Sequence, residues 1–203
     1  MTFPVKIFIG TLFLMLLKHP PHFFNDRKFI LIQILAIYIY SIPFIVAQET
    51  SLRSLQYMII NRFFPCNYTL NKWYPNNSSL CDHCKVVDTI EHYFCQCKTV
   101  AIFWETFYKW WHNVTDVTIH LTCLDVILGI HNPNGYVVFD AYNYCILLAK
   151  QFIYKQKKDK KACDFYYFQI MLKDRLEVES LRSMINGKVH SFERRWRDIF
   201  DSL

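Results

Sequence analysis

Near the middle of the chain, the stretch CDHCKVVDTIEHYFCQC carries Cys81-x2-Cys84-x7-His92-x4-Cys97. Two cysteines at that separation can turn both thiolates toward one ion. A downstream histidine and cysteine then complete the tetrahedron that zinc prefers at closed structural sites. Four protein ligands leave no open position for water, so Zn2+ held this way staples a fold and performs no catalysis. Spacing alone leaves two questions open: Cys95 can take the place of Cys97, and His83 sits between the first two thiolates. Asp88 and Thr89 offer an N-cap, which puts His92 on the first turn of a short helix.

Charge supplies a second feature. The run from Lys150 to Lys161 sets Lys150, Lys155, Lys157, Lys158, Lys160 and Lys161 against Asp159 alone, a local charge of +5 in a chain total of +6. Lysines gathered on one face neutralise the phosphates of RNA or DNA, and an aromatic such as Tyr154 can stack on bases. Lysines also favour helix C-termini, so the run by itself does not require a nucleic acid. Arg194, Arg195 and Arg197 with Trp196 form a smaller cluster of the same kind. His112, His120 and His131 have no partner at catalytic spacing, and no Gly-rich phosphate loop or nucleophile elbow is present. The expectation is a binding module and not an enzyme.

Helices are the elements that must position these residues. At 53% hydrophobic and 18% aromatic the chain is too apolar for a disordered tail, and 203 residues suffice for one sizeable domain or two small ones. With only 4 glycines and 7 prolines it lacks the punctuation of a many-stranded sandwich, so the expected class is all-α. Leu52, Leu55, Ile59, Ile60 and Phe63 mark one helix face, ended by Pro65. Val100, Phe103, Trp104, Phe107 and Trp111 mark another over Lys98 to Trp111. Leu124 to Gly129 predicts a brief helix closed by its glycine, Asn132 to Gly135 a turn, and Thr118 to Leu121 a short strand or linker. Val137 to Lys157 predicts a long helix whose apolar face includes Val138, Ala141, Cys145, Leu148 and Phe152. Asp164 caps the next helix, Asn186-Gly187 closes it, and Val189 to Phe200 is the last.

The first fifty residues have a different texture. Ile7 to Leu17 is an unbroken apolar or small run, and Phe29 to Ala47 gives 19 residues without charge. About twenty helical residues span a bilayer, so the second stretch fits a membrane helix, weakened by Gln33 and Pro43. A packed apolar helix and flanking sequence foreign to the module are the competing readings. Eight cysteines and sequons at Asn67, Asn76, Asn77 and Asn113 suit a different protein, a membrane-anchored and disulfide-bonded glycoprotein. Against it, three cysteines share one stretch with metal-ligand spacing. The other five are scattered singly among apolar runs, where a free thiol behaves as a small hydrophobe. A reducing compartment is therefore expected.

From Leu52 to Trp111 the chain resembles the zinc-binding region near the C-terminus of non-LTR (LINE-type) retrotransposon reverse transcriptases. The likeness is carried by LRSLQYMIINRFFPCNYTLNKW, LCDHC, TIEHYFCQC and the pair Phe103-Trp104. The family's Pro-x-Asn step is matched by Pro65-Cys66-Asn67, and its knuckle by Cys81, Cys84, Glu91-His92 and Cys97. Cys95 stands where the family usually has an aromatic or other non-ligand residue, so the resemblance makes Cys97 the fourth ligand and gives Cys95 a packing role. A weaker likeness, in LTCLDVILGI, ILLAKQFIYKQKK and KVHSFERRWRDIF, runs to the end of the chain. It implies a zinc-knuckle module, nuclear or cytoplasmic, that contacts RNA and DNA. Its parent role is template and target binding in target-primed reverse transcription. The family's aromatic-Ala-Asp-Asp polymerase signature has no counterpart, since no two aspartates are adjacent in this chain. The chain thus looks like a detached tail with no polymerase activity. The expected division is an apolar segment 1–50, a knuckle domain 51–112 and a basic helical segment 113–203.

Overall fold

In a computed structural model of the chain, the described residues are 26–119, 121–132 and 135–203, with side chains from Ile34 onward. The Ile7 to Leu17 run, His120 and the middle of the Asn132 to Gly135 turn lie outside them. The regular structure is helical, as the composition predicts: α1 (Asp26–Val46), α2 (Thr50–Ile60), α3 (Asn67–Trp73), a π-helical turn (His92–Gln96), α4 (Lys98–Thr115), α5 (Cys123–Leu128), α6 (Val137–Lys158), α7 (Phe165–Ile185) and α8 (Val189–Asp201). Val117 to Ile119 and Leu121 are irregular, and among the described residues the only extended pairing is one isolated bridge between Leu80 and Val87.

Helix α6 runs through the middle of the core. Ala141 through Ile153 are buried without interruption. A single apolar face was the expectation, but α1, α2, α7 and α8 all pack on this helix, so every side of it is covered. Of the polar groups caught in the run, the Tyr142 hydroxyl and Gln151 Oε1 have no partner among the described residues, and the others are satisfied by neighbouring elements. Asn143 clasps the backbone of Ile130, accepting from its N–H at 2.7 Å and donating to its carbonyl at 2.9 Å. Gln151 donates to the Ser51 hydroxyl at 3.1 Å. Lys150, 1% exposed, donates to Gln56 Oε1 and sits 3.4 Å from the Ile127 carbonyl. Burial of this kind removes Lys150 from any phosphate contact, contrary to the sequence expectation.

Two neighbours fix how closely α1 and α5 approach α6. Gly129, just after α5, takes φ +91°, and a Cβ there would meet Ile42 Cδ1 at 3.0 Å and Asn143 Oδ1 at 3.2 Å. Only glycine offers both the conformation and the space. Helix α1 buries Ile39, Ile42 and Val46 while exposing Ile34, Ile37, Phe44 and Ile45. It is a packed helix, and among the described residues no helix is long and apolar enough to cross a membrane. One buried cluster extends from Ile39 to Ile199, so the packing does not divide at residue 50. The predicted face of α4 is buried in full, with Phe103 meeting Phe152 of α6 and Phe168 of α7 at ring-centroid distances of 5.7 and 5.4 Å.

Burial pushes the Lys150 pKa down to about 7, against a smaller opposing pull from Cys95. The unfolded chain holds that proton up to roughly pH 10. Between these limits the unfolded state binds more protons, so stability must rise with pH across the window. Urea unfolding at pH 7, 8 and 9 should show the wild type gaining on Lys150→Met, by up to about 1.4 kcal/mol per pH unit. Parallel pH curves for the two proteins would show that Lys150 stays charged in the fold.

Candidate metal centre

Between α3 and α4 the chain has little helix of its own and folds into a tight knuckle. The Cys81 N–H donates to Val86 O at 2.8 Å, and the Lys85 N–H returns to Cys81 O at 2.9 Å. Lys85 adopts φ +57° to close this reversal. Downstream, Thr89 Oγ1 accepts from the His92 N–H at 3.2 Å, the cap that the sequence suggested. The helix that follows widens at once into the π-helical turn, where the Cys97 N–H donates to His92 O at 2.9 Å. In an α-helix, a residue five positions on stands about 140° around the axis from the first. The wider i→i+5 closure brings Cys97 back over His92, so both side chains face the knuckle.

Ligating atoms of Cys81, Cys84, His92 and Cys97 all lie within 4.8 Å of one another. Cys97 Sγ is 3.8 Å from Cys81 Sγ and 3.7 Å from Cys84 Sγ. Thiolates about 2.3 Å from one tetrahedral ion stand about 3.8 Å apart, so the cluster has the dimensions of a metal site. All eight cysteines are free. His92 is buried, and its Nε2 has no hydrogen-bond partner, a vacancy that a bound cation would satisfy. Burial also lowers the His92 pKa, which keeps the ring in its neutral, ligating form.

The surroundings of the two rival cysteines push their thiols in opposite directions. At Cys97, burial opposes ionisation, but a hydrogen bond with Thr99 at 3.2 Å and the Lys157 ammonium outweigh it and lower the pKa. At Cys95, a hydrogen bond to Cys123 and then burial push the pKa up. Its Sγ faces the Cys123 carbonyl at 3.6 Å, away from the cluster. The thiolate is the species that binds metal, and Cys97 is the thiol poised to supply it. Cys81 is held above the ordinary thiol range by burial, in spite of backbone N–H bonds from Cys84 and His83. The Lys98 N–H donates to Cys84 Sγ at 3.4 Å. His83 is exposed and stands outside the cluster.

Two residues outside the four ligands brace the site from a distance. Asp88 is 2% exposed and accepts from the Asn67 N–H at 3.4 Å. Lys157, near the end of α6, reaches it at 3.8 Å and lies over the Tyr93 ring at 3.9 Å. The Lys157 side chain is only 9% exposed and ties α6 to the knuckle, where it also lines the cleft beside it. Nothing in the local sequence linked it to Asp88, and Thr99 was missed for want of any capping or ligand pattern.

The remaining basic residues divide in the same way. Lys155, Lys158, Lys160 and Lys161 are exposed, and Lys158 and Lys160 border a cleft of about 470 Å³ beside the knuckle. Arg194 and Arg197 are exposed on α8 and border a separate cleft of about 510 Å³. Arg195 turns inward, donating to Val46 O at 2.9 Å and Asp140 O at 3.3 Å, with Glu179 at 3.9 Å. It locks α8 onto α1 and α6, and it lines the same cleft as Arg194 and Arg197.

No family model matches this chain, and no curated protein matches it.

The opposite shifts of the two thiols give a direct test of the fourth ligand. Native mass spectrometry of Cys97→Ala should show metal lost, while Cys95→Ala keeps one ion per chain. The opposite pattern would make Cys95 the ligand and Cys97 the spectator.

Proposed function

We propose that Cys81, Cys84, His92 and Cys97 bind one Zn2+, and that the stapled helical module grips the phosphate backbone of RNA or DNA through its exposed basic residues. The single observation that carries the metal half is the cluster itself, three thiols and a partnerless buried imidazole at tetrahedral spacing. Sulfur-rich four-ligand sets select zinc over the harder divalent ions, which prefer oxygen. With every position filled by protein, the ion organises the backbone and activates no water.

The nucleic-acid half rests on two supports. One is the resemblance of the knuckle and its flanking helices to LINE-type reverse transcriptase tails, whose role is to hold template and target. The other is the free charge beside the knuckle: Lys155, Lys158, Lys160 and Lys161 are exposed, and none takes part in an ion pair among the described residues. Point charges on flexible stems position a complex without reading sequence, so the grip carries little base preference.

Salt dependence tests this reading. Each phosphate contact contributes a logarithmic slope of about −0.7 on single strands and about −0.9 on duplex DNA. Replacing Lys155, Lys158 and Lys160 with Gln should make the single-strand slope shallower by about two units, with helical content and zinc stoichiometry kept. Lys150→Gln should leave the slope where it was, because that ammonium is buried. A wild-type protein that binds no labelled RNA or duplex DNA at low salt would end the nucleic-acid reading and leave the metal site standing.

A further inference from the structure

Helix α3 has seven residues, yet it and the residue that ends it leave three aromatic rings in solvent: Tyr68 at 39%, Trp73 at 51% and Tyr74 at 62% exposure. A single exposed ring is ordinary. Three on so short an element are not accounted for by the fold, which buries Trp104, Trp111 and Trp196 elsewhere. Tyr68 and Trp73, five positions apart, point about 140° from each other around the helix. Lys72 already covers the Tyr68 ring at 4.4 Å, which leaves Trp73 and Tyr74 at the end of α3 as the open rings. Leu70, one turn before Tyr74, lines the cleft beside the knuckle, opposite Tyr154, Lys158 and Lys160 of the α6 end.

The cleft is lined by charges of both signs: Asp88 is paired with Lys157, which spends that ammonium, Asp82 adds a carboxylate, and Lys158 and Lys160 add free ammonium groups. Lys158, Lys160 and Lys161 stand exposed, where a phosphate can reach them. A neutral base face suits the cleft and the rings, while its phosphate suits the lysines. In a duplex the faces of the bases are already stacked on one another, so this arrangement serves only bases that are unpaired.

We infer that Trp73 and Tyr74 at the end of α3 and the adjoining cleft form a stacking platform that makes this protein prefer single-stranded RNA or DNA over duplex. The inference rests on the proposed nucleic-acid function and adds to it the strandedness of the ligand and two residues that charge alone does not point to.

The test is fluorescence anisotropy on the full, zinc-loaded chain, with oligo(dT) of about 16 nucleotides and a duplex of the same length as probes. Trp73→Ala combined with Tyr74→Ala should weaken oligo(dT) binding by about ten-fold or more, since stacking one base is worth about 1 to 3 kcal/mol. Duplex binding should change by less than about two-fold, and the salt slope should not move, because no phosphate contact is lost. Trp73→Phe, which keeps a ring, should recover most of the single-strand affinity even if the double variant is damaged. Unchanged oligo(dT) binding by the alanine variant, or equal loss on both probes with the fold intact by circular dichroism, would overturn the platform while leaving backbone binding in place. Failure of the wild type to bind either probe would instead remove the parent reading, and the platform with it.

Discussion

A helix buried on every side carries polar groups at a cost unless they meet partners. Between Ala141 and Ile153 of α6, Asn143, Tyr144 and Lys150 do so, while the Tyr142 hydroxyl and Gln151 Oε1 do not among the described residues. Neighbouring elements supply those partners. Asn143 takes both polar groups of Ile130, which fixes the loop after α5. Lys150 and Gln56 share the Ile127 carbonyl, with Gln56 donating at 2.8 Å, so α2, α5 and α6 meet at one polar point inside an apolar core. Tyr144 donates to Glu49 at 2.8 Å and packs on Trp196 at 5.3 Å, which brings in the start of α2 and the last helix. Each contact joins segments remote in sequence, so the register of α6 sets the register of the others.

The same helix carries that order out to the metal centre. Its final turns leave the core, and the lysines there separate according to which way each points. Lys157 turns toward Asp88 and Tyr93, while Lys155 and Lys158 on the same turn face solvent. The knuckle is thereby anchored to the core by a largely buried ion pair with an aromatic ring over it. Desolvation offsets much of the attraction in such a pair, so its contribution is mainly to fix position. On the other side the π-helical turn feeds directly into α4, whose aromatic face is locked against α6 and α7. His92 and Cys97 therefore hang from the rigid part of the molecule, while Cys81 and Cys84 sit on the reversal.

The parts legible in the sequence were those written in short-range chemistry. Ligand spacing named Cys81, Cys84 and His92 but left Cys95 and Cys97 as rivals for the fourth place, which the family resemblance gave to Cys97. Periodicity placed α4, α6 and α7 to within a few residues of their ends. The Asp164 cap is present, accepting from the Tyr166 N–H at 2.9 Å. Gly129 closes α5 as its position suggested. What the sequence hid was set by long-range packing. Lys150 looks like any other member of a basic run until α2 and α5 cover it. Arg195 sits between two exposed arginines, and only the approach of α1 turns it into a clamp. The π-helical turn was hidden for another reason, since a spacing of five residues between His92 and Cys97 does not reveal how the backbone winds to align them.

Stability is accordingly distributed unevenly. The core around α6 closes through apolar burial and internal hydrogen bonds. The segment from Tyr74 to Val87 contributes almost nothing to that core: among its residues only Cys81 is buried, and its backbone is held by a few turn bonds and one bridge. For such a segment the energy of metal binding is its folding energy, about 10 to 16 kcal/mol in small zinc modules. A metal held by the four side chains would meet the core at His92 and Cys97 and would order the reversal against a surface already in place. Leu70 of α3 and Lys157 and Lys158 of α6 line the cleft together with Cys81 and Asp82 of that reversal. The shape of the cleft therefore depends on a segment that packing alone leaves loose.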